Sequence, residues 1–350
     1  MNSDFFLAIA DIEREKGIQQ SYMLEKIEMA LLAAMKKDFP ASAECARVIL
    51  DPVEKKLSMF FRKAIVETVE NPNTQFSLDY ALGISPDYAI GDTIDEPVDT
   101  RRFGRIAAQA AKQVIIQGIR EAERSIVYDE FTSKEHEILT GVVARVDSRT
   151  GSVAIQISSS SEHTEAMLPP GERIPGEMMR DGDRIKVYVI EVRKSTRGPQ
   201  ILISRTHPGL VKRLFELEVP EIYEGIVEIR SIAREAGNRT KISVSSNDHE
   251  VEPIGACVGT KGSRVNAIVD ELNGEKIDIV RYSDDPTEYI ASALAPSEVI
   301  SVTMLEDGKA CRAVVPDSQL SLAIGKEGQN VRLAARLTGF KIDIKPESQS

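Results

Sequence analysis

A Gly-x-x-Gly turn occurs twice in this chain, 66 residues apart, and each copy stands in the same surroundings. The first is Gly259-Thr260-Lys261-Gly262 and the second is Gly325-Lys326-Glu327-Gly328. An apolar residue precedes each turn (Val258, Ile324), and a pattern of helical spacing follows, through Val265 and Ile268 or through Val331, Leu333 and Ala334. Each pattern then runs into the string Gly-x-Lys-Ile-Asp-Ile, at residues 274–279 and 339–344. The repeat therefore reads helix, turn, helix, strand, twice over. Glycines at this spacing let backbone pass close to a sugar-phosphate chain, and the helix that follows points N–H groups at phosphate. One such turn is ordinary punctuation. Two in register, with the same strand downstream, constrain the fold.

The flanks complete each unit in the order α-β-β-α-α-β. In the first, helix is expected over 208–217, strands over 224–234 and 240–246, and helices over 253–258 and 263–272 on either side of the turn. A strand over 276–281 closes it. The second unit repeats this at 286–294, 299–305, 309–315, 317–324, 329–337 and 340–344. The order is that of a type II KH fold, a module that binds single-stranded nucleic acid. The two units are placed at 206–283 and 284–345, with 346–350 expected as a disordered tail.

In the first turn, Thr260 and Lys261 lie between Gly259 and Gly262, and Ser263 and Arg264 follow; hydroxyls, an ammonium and a guanidinium suit phosphate. In the second, between Gly325 and Gly328, Lys326 stands beside Glu327, whose carboxylate repels phosphate. Gln329, Asn330 and Arg332 are therefore expected to carry more of the contact there. Val258, Val265, Ile268, Ile324 and Val331 are candidates for an apolar base groove, most of them serving as core. The bland alternative, a tight helix-turn-helix with solvated charges, is weakened by the duplication.

Upstream, residues 134–205 read as five short strands at 137–146, 152–158, 165–168, 184–193 and 200–204, separated by Gly- and Pro-rich turns. Five strands in so short a span match a small OB barrel, whose open face commonly holds single strands. Arg145 and Tyr188 are its possible RNA face, while His163 and the serine run 158–161 read as loop. Residues 1–131 open with helices over 4–16, closed by Gly17, and 21–37. Strands over 46–50 and 56–67 follow, then a loop-rich stretch, 71–100. A long helix over 102–131 has Phe103, Ile106, Ala107, Ala110, Ala111, Val114, Ile115, Ile119, Ala122 and Ile126 stepping by three and four. The fold class is multidomain α+β: an N-terminal α/β domain with a linking helix, a barrel and two KH units.

Net charge is −11 with a pI near 5.1, which excludes a protein that grips nucleic acid by bulk charge. Basic and acidic residues number 16 and 22 before Thr132, 10 and 10 from Thr132 to Ile203, and 18 and 23 beyond. Any RNA contact must be local and shaped. Cys45, Cys257 and Cys311 are far apart and form no CxxC pair, so no metal site is expected and the thiols read as core residues in a reducing compartment. The stretch from Gly255 to Lys261 fails the spacing of a P-loop, and no HExxH, GxSxG or dinucleotide fingerprint occurs. No catalysis and no cofactor are expected. A basic leader and a membrane-length apolar run are both missing from the pattern, and a cytoplasmic protein is expected. With no exposed heptad seam it should be a monomer.

Read in this order, the chain resembles the NusA family of bacterial transcription elongation factors along nearly its whole length. Residues 103–115 resemble that family's linking helix, and 164–169, 172–177 and 182–185 its S1-type barrel. Residues 221–225, 234–241 and 253–259 resemble its first KH domain, and 323–334, Ala-Ile-Gly-Lys-Glu-Gly-Gln-Asn-Val-Arg-Leu-Ala, its second. The resemblance implies an N-terminal domain that docks on RNA polymerase near the RNA exit channel, and an S1-KH-KH array that receives nascent RNA. It further implies a role in pausing, intrinsic termination and antitermination, alongside other Nus antitermination factors. The acidic C-terminal repeats of some relatives are not expected here, and the barrel has few of the strand aromatics usual on S1-type RNA faces. Two other classes share these modules: RNA-processing enzymes built on a phosphorolytic core, and ribosome-associated binding proteins. The first 130 residues are too short for such a core.

Overall fold

A computed structural model describes residues 3–98, 100–159, 162–195, 198–305 and 308–349. The chain divides into two compact units, Met1–Val127 and Tyr128–Ser350.

The first unit begins with helices α1 (Ser3–Lys16) and α2 (Gln20–Asp38), separated at Gly17, whose φ of +68° and N–H bond to the Glu13 carbonyl end α1. Strands β1 (Ala46–Asp51) and β2 (Lys56–Val66) pair antiparallel. The stretch expected as loop is more ordered than its Pro, Gly and Asp content suggests. It contains β3 (Gln75–Ser77), parallel to β2, then α3 (Leu78–Ile84), and β4 (Thr93–Pro97), antiparallel to β2. Ser77 caps α3 by accepting from the Tyr80 N–H at 3.3 Å. Helix α4 (Thr100–Thr132) follows. Met23, Ile27, Leu31 and Met35 of α2 pack on Ala46 and Leu50, with Ile115, Ile119, Ala122 and Ile126 of α4 against the same core. The side chains of Phe103, Ile106, Ala107, Ala110, Ala111 and Val114 lie outside the described residues.

The second unit starts with a closed barrel of β5 (Ile138–Val146), β6 (Val153–Ser159), β7 (Glu162–Leu168), β8 (Arg184–Arg193) and β9 (Gln200–Ser204). Its order, β5-β6-β7-β9-β8 with β8 returning to β5, is that of an OB fold. Ser158, Ser159 and His163 belong to a paired hairpin, with Ser158 opposite His163, and not to the loop expected from the serine run. Ser160 and Ser161 lie outside the described residues.

Two units of matching topology follow. The first has α5 (Pro208–Glu218), α6 (Pro220–Tyr223), β10 (Val227–Glu235), β11 (Arg239–Ser246), α7 (Pro253–Val258), α8 (Ser263–Glu271) and β12 (Lys276–Arg281). The second has α9 (Pro286–Ala293), β13 (Ser301–Met304), β14 (Ala310–Val315), α10 (Leu320–Ile324), α11 (Gln329–Thr338) and β15 (Lys341–Pro346). In each, the first strand pairs antiparallel with the second, and the last lies parallel to the second. The repeated Asp falls opposite a cation in both: Asp278 opposite Lys241, and Asp343 opposite Arg312. Residues 346–349, expected as part of a disordered tail, are ordered. Pro346 closes β15, and Ser348 donates through its N–H and its hydroxyl to Asp317.

Barrel and first KH unit share one buried bolt. Arg205, 1% exposed, donates to both Glu177 oxygens and the Lys186 carbonyl on the barrel side, and to the Glu271 carboxylate and carbonyl at the end of α8. The two KH units are joined in the same way. Lys241 is fully buried, with Nζ 2.9 Å from Asp278 and 2.6 Å from the Ala295 carbonyl, and the Tyr289 hydroxyl reaches Ser243 and the Leu337 carbonyl. Burial raises the Asp278 carboxyl, but hydrogen bonds and charge from Arg239 and Lys241 outweigh it and hold the group low.

Candidate nucleic-acid interface

Both Gly-x-x-Gly loops take one backbone conformation. Gly259 and Gly325 have φ, ψ of 72°, 175° and 76°, 170°, a region essentially reserved for glycine. The third loop residue is left-handed in each, Lys261 at 53°, 30° and Glu327 at 54°, 26°, and Gly262 and Gly328 follow in the same region. Hydrogen bonds match as well. The leading glycine N–H bonds back to its helix at 2.9 Å (Gly255 or Ser321 carbonyl), and the trailing one to the leading glycine at 3.1 Å. No side chain caps α8 or α11, and the first N–H of each, Ser263 or Gln329, turns back to a carbonyl of its own loop, Thr260 or Lys326.

The side chains divide into those that face solvent and those that do not. Thr260, Lys261, Ser263, Lys326 and Glu327 are exposed, and neither Lys261 nor Lys326 has an ion pair among the described residues. Arg264 is engaged internally, its Nη1 2.8 Å from Glu221 Oε2 of α6 and 2.6 Å from the Ala256 carbonyl of α7. Asn330 is buried, 4% exposed, with Nδ2 donating to the Leu294 and Ala323 carbonyls at 3.0 Å. Gln329 and Arg332 both turn to Glu235 of β10, at 2.9 and 2.6 Å. The residues expected to carry the second copy's contact are thus engaged by the protein, through Glu235 and two backbone carbonyls, although Arg332 stays exposed while it pairs. The Arg332 hydrogen bond, against partial burial, keeps Glu235 below the ordinary carboxylate range.

Of the apolar candidates, Ile268 is core, Val258, Val265 and Val331 are half-buried, and Ile324 is exposed beside the second loop. On the barrel, Arg145 is exposed with Glu165 at 3.5 Å. Tyr188 is no platform: the ring is 6% exposed and stacks on His207 at 4.6 Å. A Cβ at Gly209 would come within 2.4 Å of it, so the start of α5 covers the ring.

Sequence reasoning missed a cleft of about 370 Å³ between the KH units, where Asn238, Arg239 and Lys276 of the first meet Gly325, Lys326 and Gln329 of the second. It also missed the carboxylates that hold the site residues, Glu221 and Glu235. Their partners are distant in sequence, and only the Gly-x-Lys-Ile-Asp-Ile repeat, whose Lys276 lines the cleft, signalled the region. The three cysteines are buried and free; burial raises all three thiols, Cys257, two residues before the first loop, to about 12. No cluster of metal-ligating side chains occurs among the described residues.

Tandem KH units behind an OB barrel, each opening an uncapped helix onto a glycine loop, define a class of RNA-binding protein. Matches to known proteins narrow it. Residues 4–125 match the NusA N-terminal domain, 205–282 the NusA-like first KH domain, and 286–350 the NusA-like second KH domain. The transcription termination/antitermination protein NusA of Halalkalibacterium halodurans is 53% identical over all of this chain and 90% of its own length. That of Bacillus subtilis is 51% identical (100% and 92%), and that of Thermus thermophilus 41% (99% and 90%). The chain belongs to the NusA family of transcription termination/antitermination proteins.

Proposed function

We propose that the protein docks on RNA polymerase through residues 1–131 and holds nascent single-stranded RNA on its KH loops, so modulating pausing, intrinsic termination and antitermination with other Nus factors. The division of labour follows the expected domains: docking in 1–131, barrel in 134–205, KH units in 206–283 and 284–345. The carrying observation is the matched pair of loops, each presenting an exposed lysine, Lys261 or Lys326, with no ion pair among the described residues, beside a helix N-terminus that no side chain caps. Glycine loop and basic cleft lie side by side at the second copy, which supports a strand running from one unit to the next. Arg145 adds a charge on the barrel.

Docking makes weak RNA sites sufficient, because tethering raises the local concentration of transcript. That agrees with a chain of net charge −11. The protein acts by binding alone, as a cytoplasmic monomer without catalysis or cofactor; no helix among the described residues is long and apolar enough to cross a membrane. Replacing Thr260 and Lys261 together by Asp sets two carboxylates on the phosphate path. RNA affinity should fall sharply while thermal unfolding barely moves, and unchanged affinity excludes this loop as a contact. Crosslinking to a paused elongation complex tests the docking, and recovery with ribosomal subunits rather than polymerase on co-purification would favour a ribosome-associated role.

A further inference from the structure

We propose that the fifth residue after each leading glycine, Arg264 in the first copy and Asn330 in the second, is a positioning residue that ties the loop to the preceding helix, and that Glu221 completes the first tie. The inference rests on the reading of the loops as RNA contacts and assigns the set-up of those contacts to side chains that do not touch RNA.

Two copies reach the same end with different chemistry. Arg264 donates to the Ala256 carbonyl in the last turn of α7, and Asn330 to the Ala323 carbonyl in the last turn of α10. Each bond gives a partner to a carbonyl at a helix end that the helix itself leaves open. Each residue also packs under its glycine: a Cβ at Gly259 would lie 2.7 Å from Arg264 Cγ, and one at Gly325 would lie 2.7 Å from the Asn330 backbone N. The tie and the glycine thus interlock. Glu221 accepts from the same Nη1 that donates to the Ala256 carbonyl and satisfies the Arg264 charge, so that the side chain lies along the protein instead of the phosphate path.

The two roles predict opposite signs. If Arg264 were a phosphate ligand, Glu221 would compete with RNA for it, and Glu221→Gln would strengthen binding. As a tie it loses its anchor, the loop loosens, and binding weakens.

The test titrates a short, labelled, mixed-sequence single-stranded RNA into the full chain at several salt concentrations, for wild type, Lys261→Asp, Glu221→Gln and Arg264→Lys. We expect Glu221→Gln and Arg264→Lys each to weaken binding roughly three- to tenfold. The dependence of log affinity on log salt should keep its slope, since a lost phosphate contact removes about 0.7 from it. Stronger or unchanged binding by Glu221→Gln, or a shallower slope in either variant, overturns the proposal. Should Glu221→Gln not fold, Arg264→Lys decides alone: it keeps the charge, but its chain ends one bond short of the Nη1 position that holds both Glu221 and the Ala256 carbonyl, so wild-type affinity overturns the tie. Lys261→Asp separates the two levels. If it leaves RNA affinity unchanged the loop reading itself fails; if it weakens binding while the tie variants do not, only the tie fails.

Discussion

Lys261 and Glu327 occupy one backbone position in the two loops, within a few degrees in φ and ψ, and carry opposite charges on exposed side chains. The first loop therefore offers phosphate a net positive edge, and the second, where Lys326 neighbours Glu327, offers none. Exchanging the charges at constant geometry isolates this difference. Lys261→Glu should weaken RNA binding and lower the salt slope by about 0.7, while Glu327→Lys should strengthen binding and raise it by a similar amount. Fluorescence anisotropy across a salt series reads both, and melting temperatures should stay near wild type.

The glycines differ in what a methyl group would meet. At Gly325 it would press on Asn330 at 2.7 and 2.8 Å in a conformation that only glycine adopts readily, whereas at Gly328 it would meet open space at φ +75°. Gly325→Ala should cost about 3 kcal/mol or more, and Gly328→Ala about 1 kcal/mol. Thermal denaturation of the two variants side by side checks the ordering; equal losses would contradict the interlock of Gly325 with Asn330.

Acid should loosen the joint between the KH units. Glu235 accepts from Arg332 and Gln329 and lies 3.8 Å from Arg336, and its folded pKa is depressed. A depressed carboxylate contributes stability that is present above the unfolded value of about 4.3 and is lost as pH falls through the lower folded value. Glu235→Gln should cost about 1 kcal/mol at neutral pH and flatten the decline in melting temperature below about pH 4.3. A variant as steep as wild type in that range would remove Glu235 as the acid-sensitive group.

Arg205 spends its donors on barrel and KH unit alike with almost no exposure. Arg205→Ala strands Glu177 and Glu271 and should cost about 3–5 kcal/mol in urea unfolding. A loss under about 1 kcal/mol would mean that water enters and replaces it.

The repeat was legible because its glycines, helical spacing and closing strand all recur at one interval, and two dihedral-matched loops answer it. Local patterns elsewhere carried less. The three-residue strand at Gln75 and the short helix capped by Ser77 are too brief for periodicity to register, so the stretch looked like loop. Serines that suggested a loop pair across a hairpin, where partner strands supply the backbone bonds that composition cannot show. Which polar side chains face outward was the least legible feature. Arg264 finds Glu221, Arg332 finds Glu235, and Tyr188 finds His207, each partner from another element of the fold. Charge next to a glycine loop shows only that a contact is affordable; tertiary neighbours decide whether it is spent inside.

The buried thiols have a practical consequence. Cys45, Cys257 and Cys311 are sealed from solvent and held in their protonated form, so the native fold should ignore maleimide reagents. Thr260→Cys would then be a unique handle on an exposed loop tip, and a dye or spin label attached there would report passing strands without any of the natural cysteines having to be removed.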